Sequence, residues 1–268
     1  MDDTTGSDVS FTAKIMAAGR AYETQRSDAL FIDPFAEKLA GEEVVKHVIP
    51  RLEKDEKKGK PFTLVRTRFF DDFIINHAQN IRQIVLLGAG MDTRALRMKW
   101  ESGTHVYEID QSNIMAYKES ILKDIKPTCV QHSISADLKD SLWSELLFEQ
   151  GYQSLEPSIW LLEGLLYYLN EVEVHNLLTT ITNCSAKGSW FGADVINSVI
   201  LNGQDDWAKY WQSSCDDPES FFEKYGWKAS AIQPGEKGAS FGRFTFQFPE
   251  RSIPDTPHLF FITASKQV

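Results

Sequence analysis

The 268-residue sequence predicts a doubly wound α/β fold, and three observations predict it. A continuous apolar run, Gln83-Ile84-Val85-Leu86-Leu87, closes on Gly88-Ala89-Gly90, as expected of a strand buried on both faces of a parallel sheet. Strand-like and helix-like segments alternate after it, which calls for right-handed crossovers. The last two strand-like segments have no helical pattern between them, so they are expected to pair antiparallel at one sheet edge.

Taken in order, residues 11–80 read as helical. Residues 12–23 are rich in Ala, Met and Lys, and Asp33-Pro34 reads as an N-cap followed by a first-turn proline, predicting a helix over 35–40 that stops at Gly41. A further helical stretch ends in the mixed-sign run Glu53-Lys54-Asp55-Glu56-Lys57-Lys58-Gly59-Lys60, read as a solvated helix end, and residues 62–77 form another amphipathic helix. Strands are expected at 83–87, 105–110, 129–133, 158–163, 189–195, 227–232 and 258–265, with helices at 93–98, 111–124, 142–150 and 171–184. A helical, Trp-rich stretch spans 201–225, and a Gly- and Pro-containing segment, 233–257, joins the last two strands. The expected organisation is one α/β core, 83–268, carrying an N-terminal helical layer, 1–82, and a possible substrate cap at 201–226.

Composition narrows the function. With 28 basic and 38 acidic side chains the formal charge is −10, which argues against wrapping nucleic acid or lying on an anionic membrane, because both require clustered Lys and Arg. Cys129, Cys184 and Cys215 are odd in number and in no CxxC spacing, so neither a zinc site nor a disulfide framework is indicated. No apolar run approaches the ~18 residues of a spanning helix, and the start, Met1-Asp2-Asp3-Thr4-Thr5, is acidic where a secretion signal is basic. The expected partner is a small molecule and the expected compartment cytoplasmic; oligomeric state is not legible.

In an open α/β sheet the ligand binds beyond the carboxyl ends of the strands. The first such loop is Gly88-Ala89-Gly90-Met91-Asp92-Thr93, where the glycines let backbone approach a ligand and Asp92 or Thr93 can cap the next helix. A dinucleotide fingerprint wants a third glycine where this chain has Thr93, which disfavours a nicotinamide-dependent reductase. Asp110, twenty positions after Gly90, ends the second strand where an acid accepts from ribose hydroxyls; it could instead cap the helix beginning at Gln111-Ser112. Asp137 and Leu138 follow the third strand where an adenine would lie, or form a plain loop. Glu163 ends a nearly all-apolar fourth strand, so it requires a partner, and an ammonium is the expected one. Arg66 and Arg68 lie on the helix before the first strand, where a guanidinium could grip a carboxylate or pair with Asp71 or Asp72 one helical turn away.

An adenosine, an amine and a carboxylate describe S-adenosylmethionine, and the motifs resemble those of the leucine carboxyl methyltransferase family, which includes bacterial natural-product O-methyltransferases. The matching segments are Phe31-Ile32-Asp33-Pro34-Phe35-Ala36, Val65-Arg66-Thr67-Arg68, Val85 through Arg94, Tyr107-Glu108-Ile109-Asp110-Gln111, Ala136-Asp137-Leu138 and Leu162-Glu163-Gly164-Leu165-Leu166-Tyr167-Tyr168-Leu169. The resemblance implies a Rossmann-like methyltransferase fold, a seven-stranded mostly parallel sheet with an antiparallel C-terminal pair, under a helical lid. It implies that Arg66 binds the cofactor's carboxylate, that Gly88, Ala89 and Gly90 pass beneath its methionine part, that Asp110 and Gln111 hold the ribose and Asp137 and Leu138 the adenine, and that Glu163 and Gly164 lie near the amino group. Arg20 and Tyr22 on the lid, with Tyr167, become candidates to orient the acceptor, and no metal is implied. The six histidines are scattered, and the lack of an evident base favours a carboxyl or acidic enol acceptor on a small molecule. A protein C-terminal carboxylate as acceptor, and an adenosine-ligand sensor without turnover, are the alternatives.

Overall fold

The computed structural model describes residues 9–203 and 210–267. Four helices come first: α1 (Val9–Thr24), α2 (Ala36–Ala40), α3 (Glu42–Lys57) and α4 (Phe62–His77). The sheet follows with β1 (Gln83–Leu87), α5 (Arg94–Arg97), β2 (His105–Asp110), α6 (Ser112–Leu122), β3 (Val130–Ser135), α7 (Trp143–Glu149), β4 (Ser158–Leu162), α8 (Glu171–Asn183) and β5 (Trp190–Ile196). After α9 (Ser198–Leu201) and α10 (Pro218–Glu223), β6 (Trp227–Ile232) and β7 (Leu259–Lys266) complete it. The strand order is β3-β2-β1-β4-β5-β7-β6. β1 to β5 pair in parallel, whereas β7 runs antiparallel to both β5 and β6. The order reverses between β1 and β4, so the crevice at their carboxyl ends is the expected ligand site.

Period-two alternation sorts each strand onto two cores. Val85 and Leu87 join Tyr107, Trp160 and Phe191 against Trp143 of α7 and Leu177 of α8. Ile84 and Leu86 face the other way, with Val106 and Leu161, against Phe70, Phe73 and Ile74 of α4. Gly192 permits the close approach of α4: a Cβ there would lie 2.9 Å from Phe73 Cε1 and 3.3 Å from Leu161 Cδ1. Gly192→Ala is therefore expected to overpack this layer and lower stability by about 1–3 kcal/mol, read from the midpoint of urea unfolding; an unchanged midpoint would show that the Phe73 ring yields freely.

A third cluster, with Ile15, Ala18, Leu39, Val45 and Val48, seats α1 to α3 on Met91 and Ile114 over the carboxyl edge of the sheet. Here one expected detail changes. Helix α2 begins at Ala36 with Phe35 at its N-cap, not Asp33. The Asp33 carboxylate divides: Oδ1 accepts from Phe35 N at 3.2 Å, whereas Oδ2 turns inward and accepts from Arg20 Nε at 2.8 Å and from Thr93 Oγ1 at 2.7 Å. The third strand also starts one residue late and runs to Ser135, its last pair joining Asp110 to Ser135.

The Trp-rich segment divides. Phe222 is fully buried against Phe191, whereas Tyr210 and Trp211 line the large cavity described below; Trp207 lies outside the described residues. Among the described residues no helix is long and apolar enough to cross a membrane.

Candidate active site

A cavity of about 790 Å³ opens at the carboxyl ends of β1, β2, β3 and β4 beneath α1. It is lined by Arg66, Gly88, Ala89, Gly90, Asp110, Gln111, Asp137, Leu138, Glu163 and Gly164, so tertiary folding gathers every residue expected to hold a cofactor around one space.

The first loop turns through positive φ at Gly88 (65°) and Gly90 (49°), a region open to glycine. Gly88 N and Ala89 N both donate to Ile109 O, at 2.9 and 3.1 Å, and Gly90 N donates to Asp110 Oδ2 at 2.6 Å. Asp110 Oδ1 accepts from Gln111 N at 2.7 Å. The helix-cap alternative does not hold, since Gln111 occupies the N-cap of α6 and no side chain caps that helix. Asp110 instead ties the β1 and β2 loops together. Burial pushes its pKa above the ordinary carboxylate value, outweighing the two backbone donors that pull it down. Asp137 is exposed, and its Oδ1 accepts from Lys139 N at 3.0 Å; Ala136, Leu138 and Ile114 supply apolar wall beside it.

Arg66 and Arg68 part company. Arg68 pairs with Asp72 one turn away at 2.9 Å. Arg66 is buried and reaches the cavity, where Nε donates to Glu163 Oε1 at 3.1 Å, Nη1 to Asp194 Oδ2 at 2.9 Å and to Tyr167 Oη at 3.1 Å, and Nη2 to the weakly accepting Met16 Sδ at 3.2 Å. Burial works against its charge, but Asp194, Tyr167 and Glu163 outweigh burial and raise its pKa. Gly164, at φ 70°, donates its N–H to Asp194 Oδ1 at 2.6 Å, and a Cβ there would stand 3.2 Å from Arg66 Nη1. Where an ammonium partner was expected, Glu163 meets two guanidinium groups of the chain itself: besides Arg66, its Oε2 accepts from Arg94 Nη2 at 2.8 Å.

Sequence reasoning alone misses Arg94, Asp92, Asp71, Arg97 and Asp194 as site residues. Arg94 also bonds Asp71 Oδ1 at 2.7 Å and pairs with Asp92; Arg97 bonds Asp71 at 2.7 Å and approaches Asp33 at 4.0 Å. Asp92 is pushed up by burial but pulled further down by Arg94, to about 2. A signal for Asp194 did exist in Phe191-Gly192-Ala193-Asp194-Val195-Ile196, an acid inside a buried apolar strand, which demands a partner for the same reason as Glu163. The connected set holds four arginines (Arg20, Arg66, Arg94, Arg97) against five carboxylates (Asp33, Asp71, Asp92, Glu163, Asp194). Buried Lys118, paired with Glu108 at 2.8 Å, also pulls Asp92 down.

The acceptor candidates fare differently. Arg20 lines the cavity, but its Nε serves Asp33 and its Nη2 the Met91 carbonyl. Tyr22 is not among the lining residues: its hydroxyl donates to Glu56 Oε2 at 2.7 Å on the other side of α1. Tyr167 lines the cavity between Arg66 and Asp194, and burial with the Asp194 charge pushes its pKa well above 10. Among the described residues no histidine lines the cavity.

These loops fall within residues 13–182, the stretch that matches the description leucine carboxyl methyltransferase. The chain belongs to the leucine carboxyl methyltransferase family. This methyltransferase is 35% identical over 256 residues to a Streptomyces avermitilis protein provisionally named an S-adenosyl-L-methionine-dependent methyltransferase, with 90% of each chain covered. A similarly named Streptomyces coelicolor protein is 34% identical over 256 residues, covering 89% of this chain and 90% of that one. In fold, the methyltransferase resembles the crystal structure of a Thermobifida fusca protein provisionally described as a methyltransferase, with a TM-score of 0.61 at 14% identity over 99% of both chains.

Proposed function

We propose that this methyltransferase takes its methyl group from S-adenosylmethionine and delivers it to an acidic oxygen, a carboxylate or a polyketide-type enol, on a small molecule. The observation that carries the reading is the convergence of four strand-end loops and the buried Arg66 on one cavity. The residues present fit the group. An ionised carboxylate offers about four lone-pair sites; Asp110 spends two on Gly90 N and Gln111 N, leaving two for a pair of vicinal hydroxyls. Ile114, Ala136 and Leu138 suit a purine face, with Asp137 at its edge. Glu163 suits an ammonium, Gly164 lies beside it, and Arg66 Nη2 suits a carboxylate, since its thioether partner is a weak acceptor.

S-adenosylmethionine supplies an electrophilic methyl group on a cationic sulfonium. The chain's part is alignment and exclusion of water. Thr12, Ala13 and Met16 of α1 close the cavity from above, which is the lid role proposed for the N-terminal helices. Tyr167 keeps its proton at neutral pH and donates a hydrogen bond to Asp194 Oδ2 at 3.2 Å, so it braces the Arg66–Asp194 pair and does not act as a base. With no imidazole among the described lining residues, an acceptor that is already ionised matches the site best.

Thermal shift separates this reading from its rivals. S-adenosylhomocysteine at 100 times its Kd should add about 2.7 kcal/mol of stability, with no response to NAD(H). Absence of a response to S-adenosylhomocysteine overturns the reading. Transfer of labelled methyl into a panel of aromatic acids, enols and phenols then tests the acceptor: phenols favoured over acids and enols would overturn the acidic-oxygen assignment.

A pH dependence follows from Asp110. Its pKa is raised in the fold, so on acidification it takes up a proton at higher pH than an ordinary Asp does. Hydroxyl donors favour the carboxylate, so affinity for S-adenosylhomocysteine should fall as pH drops through that raised value, with proton release on binding below it. Calorimetry from pH 7.5 downward in buffers of different ionisation enthalpy checks this, and constant affinity to about pH 4, the ordinary range, would refute it.

A further inference from the structure

The cavity has a second half, built by segments from opposite ends of the chain. The α3–α4 turn contributes Lys60 and Pro61, and the start of α4 contributes Phe62; the β6–β7 connection contributes Phe244 and Phe248. The two are tied together. Thr245 N and Phe246 N both donate to Gly59 O, at 2.9 and 3.0 Å, and Arg243 Nη2 lies 3.0 Å from Asp28 and 3.5 Å from Glu23 at the end of α1. Gly59 sits at φ 71°, and a Cβ there would meet Thr245 Oγ1 at 2.1 Å, so the seam admits no side chain.

Within Phe244-Thr245-Phe246-Gln247-Phe248 the first and last rings line the cavity, nearly parallel at 13° with centroids 6.2 Å apart, and Phe244 is almost wholly buried. Phe62 adds a third ring, packed on Phe261 at 5.8 Å. Beside these rings stands the Lys60 ammonium. Lys60 is exposed and lines the cavity, its Nζ 3.5 Å from the centroid of Phe246 just outside the lining, and among the described residues no carboxylate forms an ion pair with it. The neighbouring cation, Arg51, already has Asp55 at 3.9 Å. A cation over a ring keeps N–H donors for a further acceptor.

We propose that this half of the cavity binds the acceptor as a planar aromatic carboxylate, its ring against Phe62, Phe244 and Phe248 and its anionic group on Lys60. The inference rests on the proposed function in naming the bound molecule the acceptor. It goes beyond that reading in separating a recognition anion from the oxygen that takes the methyl group. The Phe62 ring centroid lies 5.0 Å from Arg66 Cζ, so an acceptor ring on Phe62 borders the Arg66 cluster while its anion sits on Lys60, ahead of the first turn of α4.

The test uses naphthoate and its uncharged isostere naphthamide, titrated by calorimetry into the full-length protein with and without saturating S-adenosylhomocysteine. Naphthoate should bind at least tenfold more tightly than naphthamide. Lys60→Met should erase that difference while naphthamide binding stays, and Phe248→Ala should weaken both. Equal affinities in the wild type, an undiminished preference in Lys60→Met, or no binding of either probe at millimolar concentration overturns the proposal. Loss of the response to S-adenosylhomocysteine alone, with the naphthoate preference intact, would strike the cofactor reading and leave the pocket assignment standing.

Discussion

Arg66→Met should lower the stability of the protein by about 3–5 kcal/mol, the range for removing one partner of a buried ion pair. Methionine keeps the apolar stem that packs in α4, so the loss reports the guanidinium. Without it, Asp194, whose side chain is fully buried, retains Tyr167 and the Gly164 N–H but no cation, and Glu163 retains only Arg94. For a chain of this size each kcal/mol moves Tm by roughly 2–4 °C, so a fall of roughly 6–20 °C is expected. A compensating Arg66→Met/Asp194→Leu pair should recover more than half of it, because a buried pair replaced by apolar groups is often neutral. Chemical denaturation of the four proteins of this cycle measures the coupling. A loss under about 1 kcal/mol in the single variant, below the usual cost of an unsatisfied buried group, would mean that Asp194 takes up a proton at little cost and that the network is not held by charge.

Asp110→Ala should instead act on the ligand. Hydrogen bonds to a charged group contribute roughly 1.5–3 kcal/mol, and about 1.4 kcal/mol is tenfold in Kd, so S-adenosylhomocysteine should bind about a hundredfold more weakly. Alanine also leaves Gly90 N and Gln111 N without their acceptor, but both border the cavity and can turn to water. Its stability loss should therefore be smaller than that of Arg66→Met. Asparagine is the less clean substitution, since one carboxamide oxygen cannot accept from both N–H groups in their present places. Affinity within a few-fold of wild type would reduce Asp110 to a brace between the two loops.

The elements were legible because their causes are local. Four apolar residues running into two glycines need no distant information to be read as a buried strand and tight turn, and β1, β2, β6 and α4 have the bounds that their periodicity predicts. The antiparallel edge was legible for the same reason, since no helical pattern separates β6 from β7. Misjudgements cluster where a side chain had two local uses and a distant partner chose between them. Asp33 had the sequence context of an N-cap, and while one oxygen keeps the Phe35 N–H, Arg20 and Thr93 drew the other inward. Tyr22 had the look of a lid residue aimed at a substrate, and Glu56 on α3 holds it outside.

By itself, then, the sequence determined the strand order's raw material, the glycine loop and the acids at the strand ends. Each is written in neighbouring residues through backbone sterics and hydrophobic periodicity. Only tertiary structure decided which of those acids meet which arginines, that Asp194 belongs with Arg66 across 128 positions, and that Lys60 shares a cavity with Phe248. The physical reason is that a charge buried among apolar strands is stable only beside a counter-charge, and folding brings that counter-charge from wherever in the chain it lies.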